Sequence, residues 1–220
     1  MEIYISDISN IDIDTYIDEV SRCRREKVQR FNHIDDKRRS IGSELLRNYG
    51  IDQYLRENHP ESLNEKRKFY LLDNGKPKVN IGQLSVEYNV SHSGKYVAVV
   101  VANVQCGIDI ERKRTARQSV IDRCFNLAEQ NEMDSSSDKD KTFTQIWTMK
   151  ESYLKMTGDG IRDELNKVST GFSNGISKYH FPEGINYRIF EYDDYIVTVC
   201  FMNDKKMSMN TESIHFHIIS

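Results

Sequence analysis

The longest apolar run in this 220-residue chain covers residues 97–102 and reads VAVVVA. As a strand it reaches about 20 Å, and it falls far short of the roughly 20 residues needed to cross a bilayer as a helix. Residues 86–90 and 107–110 have the same β-branched and aromatic character on either side of it, so three strands in succession are expected. Ile3 and Ile5 alternate around Tyr4 and suggest a starting strand. The opening MEIYISDISN has no cationic segment followed by an apolar stretch, so no signal peptide is read there. A soluble, cytoplasmic protein is expected.

Residues 17–59 carry helical spacing, with Leu45, Leu46, Tyr49 and Leu55 in register. Asp73-Asn74-Gly75 marks a turn between two short strand-like segments. After residue 104 the order repeats: a helical pattern at 120–125, a polar loop at 134–138, a long helix over about 141–156, then strands at 187–192 and 195–201. The reading is α+β, in two halves at 1–104 and 105–220. Residues 213–219 alternate and could add an edge strand. The cysteines Cys23, Cys106, Cys124 and Cys200 lack CxxC spacing, which favours free thiols over zinc or a disulfide framework.

Four segments carry candidate chemistry. In Gly107-Ile108-Asp109-Ile110-Glu111 a strand places Asp109 and Glu111 on one face, and two adjacent carboxylates suit Mg²⁺ or Mn²⁺ rather than zinc. The plainer alternative is a solvated strand end neutralised by Arg112, Lys113 and Arg114. On the helix, Trp147, Glu151 and Lys155 recur every four residues and share a face; an ordinary Glu–Lys surface pair beside a core tryptophan would look the same. Asn89-Val90-Ser91-His92-Ser93-Gly94 reads as a polar turn able to approach a phosphate, or as a hairpin that satisfies itself. Gly75-Lys76-Pro77 puts a lysine on a rigid turn. Near the N-terminus, Arg22, Arg24, Arg25, Lys27, Arg30, Lys37, Arg38 and Arg39 crowd together in a chain of net charge −3. That patch suits one anionic ligand, or is a solvated helix face; nucleic acid fits less well, since interleaved aromatics and a basic balance are missing.

In order and spacing these segments resemble the Sfp-type 4′-phosphopantetheinyl transferases, over residues 1 to about 202. The resemblance implies a pseudo-twofold pair of similar α+β halves with coenzyme A in the cleft between them. It implies Mg²⁺, with Mn²⁺ as a substitute, on Asp109, Glu111 and Glu151. It implies Lys155 and His92 at the diphosphate, and Ser91, Lys76 and Pro77 along the nucleotide. Lys27, Arg39 and Ser40 would meet the 3′-phosphate, while Arg24 stands where the family often has lysine. Glu151, Lys155 and His92 form the implied catalytic set, with Glu151 or a water on the metal as the base. The product would be a holo carrier protein and adenosine 3′,5′-bisphosphate. Peptidyl or acyl carrier domains of nonribosomal peptide (antibiotic), polyketide or fatty acid synthesis are the expected partners, with no nucleic acid and no membrane.

With both halves in one chain, a monomer or loose dimer is expected, unlike the short homotrimeric holo-acyl-carrier-protein synthases. Gly158, Ile161, Arg162, Leu165, Lys167 and Val168 are the candidate carrier-docking residues. Glu129 matches a family glutamate, yet Asn126-x-x-Glu129 reads first as a helix cap.

Overall fold

The computed structural model describes residues 1–160, 165–170, 172–173, 176–177, 184–202 and 214–219. Each half is a strand, a long helix and a hairpin. In the first half these are β1 (Glu2–Asp7), α3 (Ile34–Asn58), and β4 (Leu84–Ser93) with β5 (Tyr96–Ala102). The short helices α1 (Ile13–Tyr16) and α2 (Arg22–Gln29) precede α3, and β2 (Arg67–Leu71) and β3 (Pro77–Ile81) extend the sheet. In the second half the elements are β6 (Cys106–Arg112), α6 (Lys139–Thr157), and β9 (Ile185–Tyr192) with β10 (Tyr195–Met202). Helices α4 (Gln118–Cys124) and α5 (Leu127–Ser135) come before α6, and a small ribbon, β7 (Phe172–Ser173) with β8 (Ile176–Ser177), comes after it. Strand order is β1-β5-β4 in one half and β6-β10-β9 in the other, so the topology repeats although the residues do not.

Alternation assigns each strand residue to one of two cores. Ile3, Ile5, Ala98 and Val100 face Ile108, Ile110, Val197 and Val199 in a core shared by the two sheets. Tyr4, Val97, Val99 and Val101 point the other way, onto Leu46, Ile51 and Leu55 of α3. Both faces of β5 are therefore covered, which explains its unbroken apolar run. On the far side, Phe143, Ile146, Met149 and Leu154 of α6 pack with Cys200 and Phe125 in a third cluster.

Three expectations need correction. The helical region 17–59 is a 3₁₀ turn at Ile17–Glu19 and two α-helices: Arg30 caps α2, and α3 restarts after an extended His33 with Asp35 and Asp36 in its first turn, where they complement the helix dipole. The Asn89–Ser93 motif is strand, with the turn itself at Gly94 (φ 53°). Its polar residues face the first strand of the other half. Asn89 Oδ1 accepts from the Ile108 amide at 3.2 Å, and Ser91 and Ser93 Oγ accept from the Ile110 and Arg112 amides at 3.4 Å. Side chains thus satisfy backbone donors of β6 and stitch the two sheets together. Finally, β11 (His215–Ile219) runs parallel to β1 in the first half's six-stranded sheet, so the last residues do not belong to the second half. Ser213 lies outside the described residues. Among the described residues no helix is long and apolar enough to cross a membrane. Of the four free cysteines, Cys106, Cys124 and Cys200 are buried.

Candidate active site

The site depends on how closely α6 crosses β6. A Cβ on Gly107 would stand 2.2 Å from the Ser152 carbonyl oxygen and 2.4 Å from the Met156 nitrogen, both backbone atoms. Only glycine admits that approach. Asp109 and Glu111 follow on the same face of β6 and so meet the α6 side chains Glu151 and Lys155. The C-terminal end of α6 is tied to the first half as well. Gly158 closes the helix at φ 80°, and Asn74 Nδ2, in the β2–β3 turn, donates to the Thr157 carbonyl at 2.9 Å.

Asp109 is buried, and its Oδ1 accepts from Lys155 Nζ at 2.6 Å and from Ser91 Oγ at 2.8 Å. The lysine also donates to Ser91 Oγ at 2.8 Å. Lys155 therefore pairs with Asp109 of its own half, and with Ser91 across the halves, rather than with Glu151 one turn back, as the spacing alone suggests. Asp109 Oδ2 and Glu151 Oε1 are buried with no hydrogen-bond partner. Burial first, then the Asp109 charge, raise the Glu151 carboxyl to about 7; Lys155 opposes this and Glu111 adds to it. Glu111 is raised by the same two causes, burial and Asp109, against a bond from Ser93 Oγ at 2.9 Å.

Three crowded carboxylates, two with an orphaned buried oxygen, are a donor set that fits a hard divalent cation. Their oxygens have not closed to ligand distances. Among the described residues only Glu2, His215 and His217 bring three potential ligand atoms, one carboxylate oxygen and two imidazole nitrogens, within 4.8 Å.

Beside the carboxylates lies a cleft of about 420 Å³, lined by Arg24, Arg47, Phe69, Pro77, Tyr88 and His92 among others. Arg24 bonds Glu44 at 2.9 Å and Ser40 Oγ at 3.3 Å; the Arg47 guanidinium lies 3.9 Å over the Phe69 ring. Alternation turns His92 away from Ser91 and into this cleft. Desolvation, then Arg39, Lys155 and Lys27, hold His92 below its usual range, and it is poised to accept a proton or hydrogen bond beside an anion. Pro77 also lines a second hollow of about 290 Å³ that reaches Lys76, Asn89, Glu151, Lys155 and Gly158.

Asp109, Glu111, Glu151, Lys155 and Ser91 thus meet, with His92 and Pro77 at the adjoining cleft. Lys27 is exposed near His92. Three other residues are already engaged. Lys76 is buried with its ammonium 3.1 Å from Glu87. Arg39 bonds Asp36 at 2.6 Å and the Gly94 carbonyl at 3.1 Å, and Ser40 is buried against Arg24. Arg47, Phe69 and Tyr88 were not singled out in the sequence. The usable signal was Arg47 three residues after Glu44 in a helical stretch, an acid–base spacing that the crowd of cations before it obscures.

Glu129 completes the capping box with Asn126. It is also 1% exposed, paired with the fully buried Lys150 at 2.9 Å, and accepts from the Thr170 amide and hydroxyl. It is a strut and not part of the cleft. Leu165 is 3% exposed and packs in the α6 core. That overturns its assignment to a docking surface, because its side chain is not available to a partner. Ile161 and Arg162 lie outside the described residues.

Two family models divide the chain at residue 105. The 4′-phosphopantetheinyl transferase N-terminal model matches residues 9–105, and the 4′-phosphopantetheinyl transferase superfamily model matches residues 105–200. A Bacillus subtilis protein described as 4′-phosphopantetheinyl transferase is 29% identical over 75% of this chain and 72% of its own length. The 4′-phosphopantetheinyl transferase psf-1 of Bacillus pumilus is 31% identical over 74% of this chain and 69% of its own. The solved structure of Thermotoga maritima holo-[acyl-carrier-protein] synthase is 17% identical, with a TM-score of 0.39 over 46% of this chain and 64% of that one. With one family model on each half, and Bacillus relatives aligned across both, this chain belongs to the 4′-phosphopantetheinyl transferase superfamily, in its Sfp-type form.

Proposed function

We propose that this chain moves the 4′-phosphopantetheine group of coenzyme A onto a serine hydroxyl of an apo carrier protein in the cytoplasm, with Mg²⁺ or Mn²⁺ held by Asp109, Glu111 and Glu151. The observation that carries the reading is the carboxylate cluster with its orphaned oxygens, set beside a cationic and aromatic cleft. In the reaction the serine oxygen bonds to the pantetheine-side phosphorus, the phosphoanhydride bond breaks, and adenosine 3′,5′-bisphosphate leaves. A divalent cation on the three carboxylates would draw off the negative charge that builds on the diphosphate.

The chain's own residues do the rest. Lys155, held by Asp109 and Ser91, is positioned against the diphosphate, where a fixed cation stabilises the developing charge. Arg24, Arg47 and His92 offer donors to the nucleotide phosphates, while Phe69 and Tyr88 supply stacking surface. Lys27, exposed near His92, is offered to the 3′-phosphate. Glu151 is the chain's own group placed to take the serine proton; its value of about 7 belongs to the cation-free chain, and a bound cation would lower it. Both halves line the second hollow, Lys76, Pro77 and Asn89 from one and Glu151 and Lys155 from the other, which supports a monomer.

The test is intact-mass analysis of apo peptidyl and acyl carrier proteins incubated with coenzyme A, Mg²⁺ and this protein. A mass gain of one phosphopantetheine, lost with chelator, is expected. Absence of any gain across both carrier classes would sink the reading.

A further inference from the structure

The parallel pairing of β11 with β1 sets Glu2 opposite His215 and Tyr4 opposite His217. All four share one face of the sheet, the face that carries α3. Glu2 is 3% exposed. Its Oε1 lies 2.9 Å from His215 Nδ1 and its Oε2 lies 2.7 Å from His217 Nε2. The His217 ring is stacked on Tyr4, with centroids 4.8 Å apart and planes 15° from parallel, which fixes the direction of its nitrogen. The two imidazoles are 58% and 38% exposed, so an ion and its water can enter. Besides the imidazoles, the Met1 ammonium lies 3.8 Å from Oε1 of this buried carboxylate.

We propose that Glu2, His215 and His217 bind a zinc-class divalent ion, Zn²⁺, Ni²⁺ or Co²⁺, and clamp the edge strand β11 onto β1. Two imidazoles and a carboxylate, with one position left to water, are a ligand set that such ions take and Mg²⁺ does not. Nitrogen and oxygen ligands at about 2.0–2.2 Å stand roughly 3.3 Å apart around a tetrahedral ion. The two Glu–His contacts would lengthen by about half an ångström and the two imidazole nitrogens, within 4.8 Å of each other, would draw together to take up an ion. The site is independent of the carboxylates that meet α6, which lie on the opposite side of the molecule's shared core.

The experiment titrates Zn²⁺ alone into the full chain in excess Mg²⁺. It follows the imidazole NMR resonances and the thermal midpoint in wild type and in His215→Ala, His217→Gln and Asp109→Ala. One equivalent should move the His215 and His217 resonances. The midpoint should rise by about 5–11 °C at roughly a hundred times the dissociation constant. Asp109→Ala should keep that rise and both histidine variants should lose it. His217→Gln preserves a hydrogen bond to Glu2, so its midpoint without zinc should stay near wild type. Unmoved histidine resonances would mean hydrogen bonding alone and overturn the proposal. So would a zinc response that survives the histidine variants or disappears in Asp109→Ala.

Discussion

Glu151→Gln should stabilise the fold while abolishing turnover. The carboxyl of Glu151 titrates at about 7 in the folded chain against a usual value of 4.5, because burial and the Asp109 charge disfavour its ionised form. A folded pKa above the unfolded one means that stability is fully present below about 4.5 and is lost as pH rises through 7. Each pH unit in that window removes about 1.4 kcal/mol, so by pH 8 the wild type gives up about 3 kcal/mol. Glutamine cannot ionise and escapes that loss. It also relieves Asp109 and Glu111 of a like charge.

The assay is urea unfolding with chelator present, at intervals from pH 4.5 to 8, alongside carrier-protein turnover with Mg²⁺. The two proteins should be alike at pH 4.5 and diverge by up to about 3 kcal/mol at pH 8. For a chain of this size that is a difference of about 6–12 °C in midpoint. Excess Mg²⁺ should narrow the gap by stabilising the wild type. A gap that does not grow with pH, or a glutamine variant less stable at pH 8, would refute the electrostatic account of the cluster.

Other outcomes follow from the same geometry. Lys150→Met should destabilise by about 3–5 kcal/mol in urea melts, because it strands the buried Glu129 charge. Replacing Glu129 by Leu as well should recover part of the loss. Leu165→Asp should lower stability by several kcal/mol, since a charge enters the α6 core; a stable variant with only a raised carrier Michaelis constant would contradict its burial. Lys27→Ala should weaken coenzyme A by about one to two decades, and 3′-dephospho-coenzyme A much less, in calorimetric titrations. Arg47→Ala should weaken both ligands alike, because it removes a guanidinium stacked on Phe69 at the cleft wall.

Local chemistry made much of this protein legible in one dimension. Period-two alternation put Asp109 and Glu111 on a common strand face, and four-residue spacing put Glu151 and Lys155 on a common helix face. The Asn126 and Glu129 capping box was readable for the same reason, since its partners are three residues apart. The break between α2 and α3 was harder to see, because Arg30 to His33 contain no glycine or proline to announce it.

Long-range geometry decided the remainder. That Lys155 serves Asp109 and not Glu151, that Lys76 is spent on Glu87, and that Leu165 is core each depend on residues distant in the chain arriving at one point. The last strand is the clearest case. Alternation in residues 215–219 allows a strand on either face of any open edge, and a shift of one residue would send both histidines to the opposite face. Only the pairing of β11 with β1 puts His215 and His217 against Glu2, some two hundred residues away. Periodicity fixes which side chains travel together; which groups they meet depends on how sheets and helices close around a shared core.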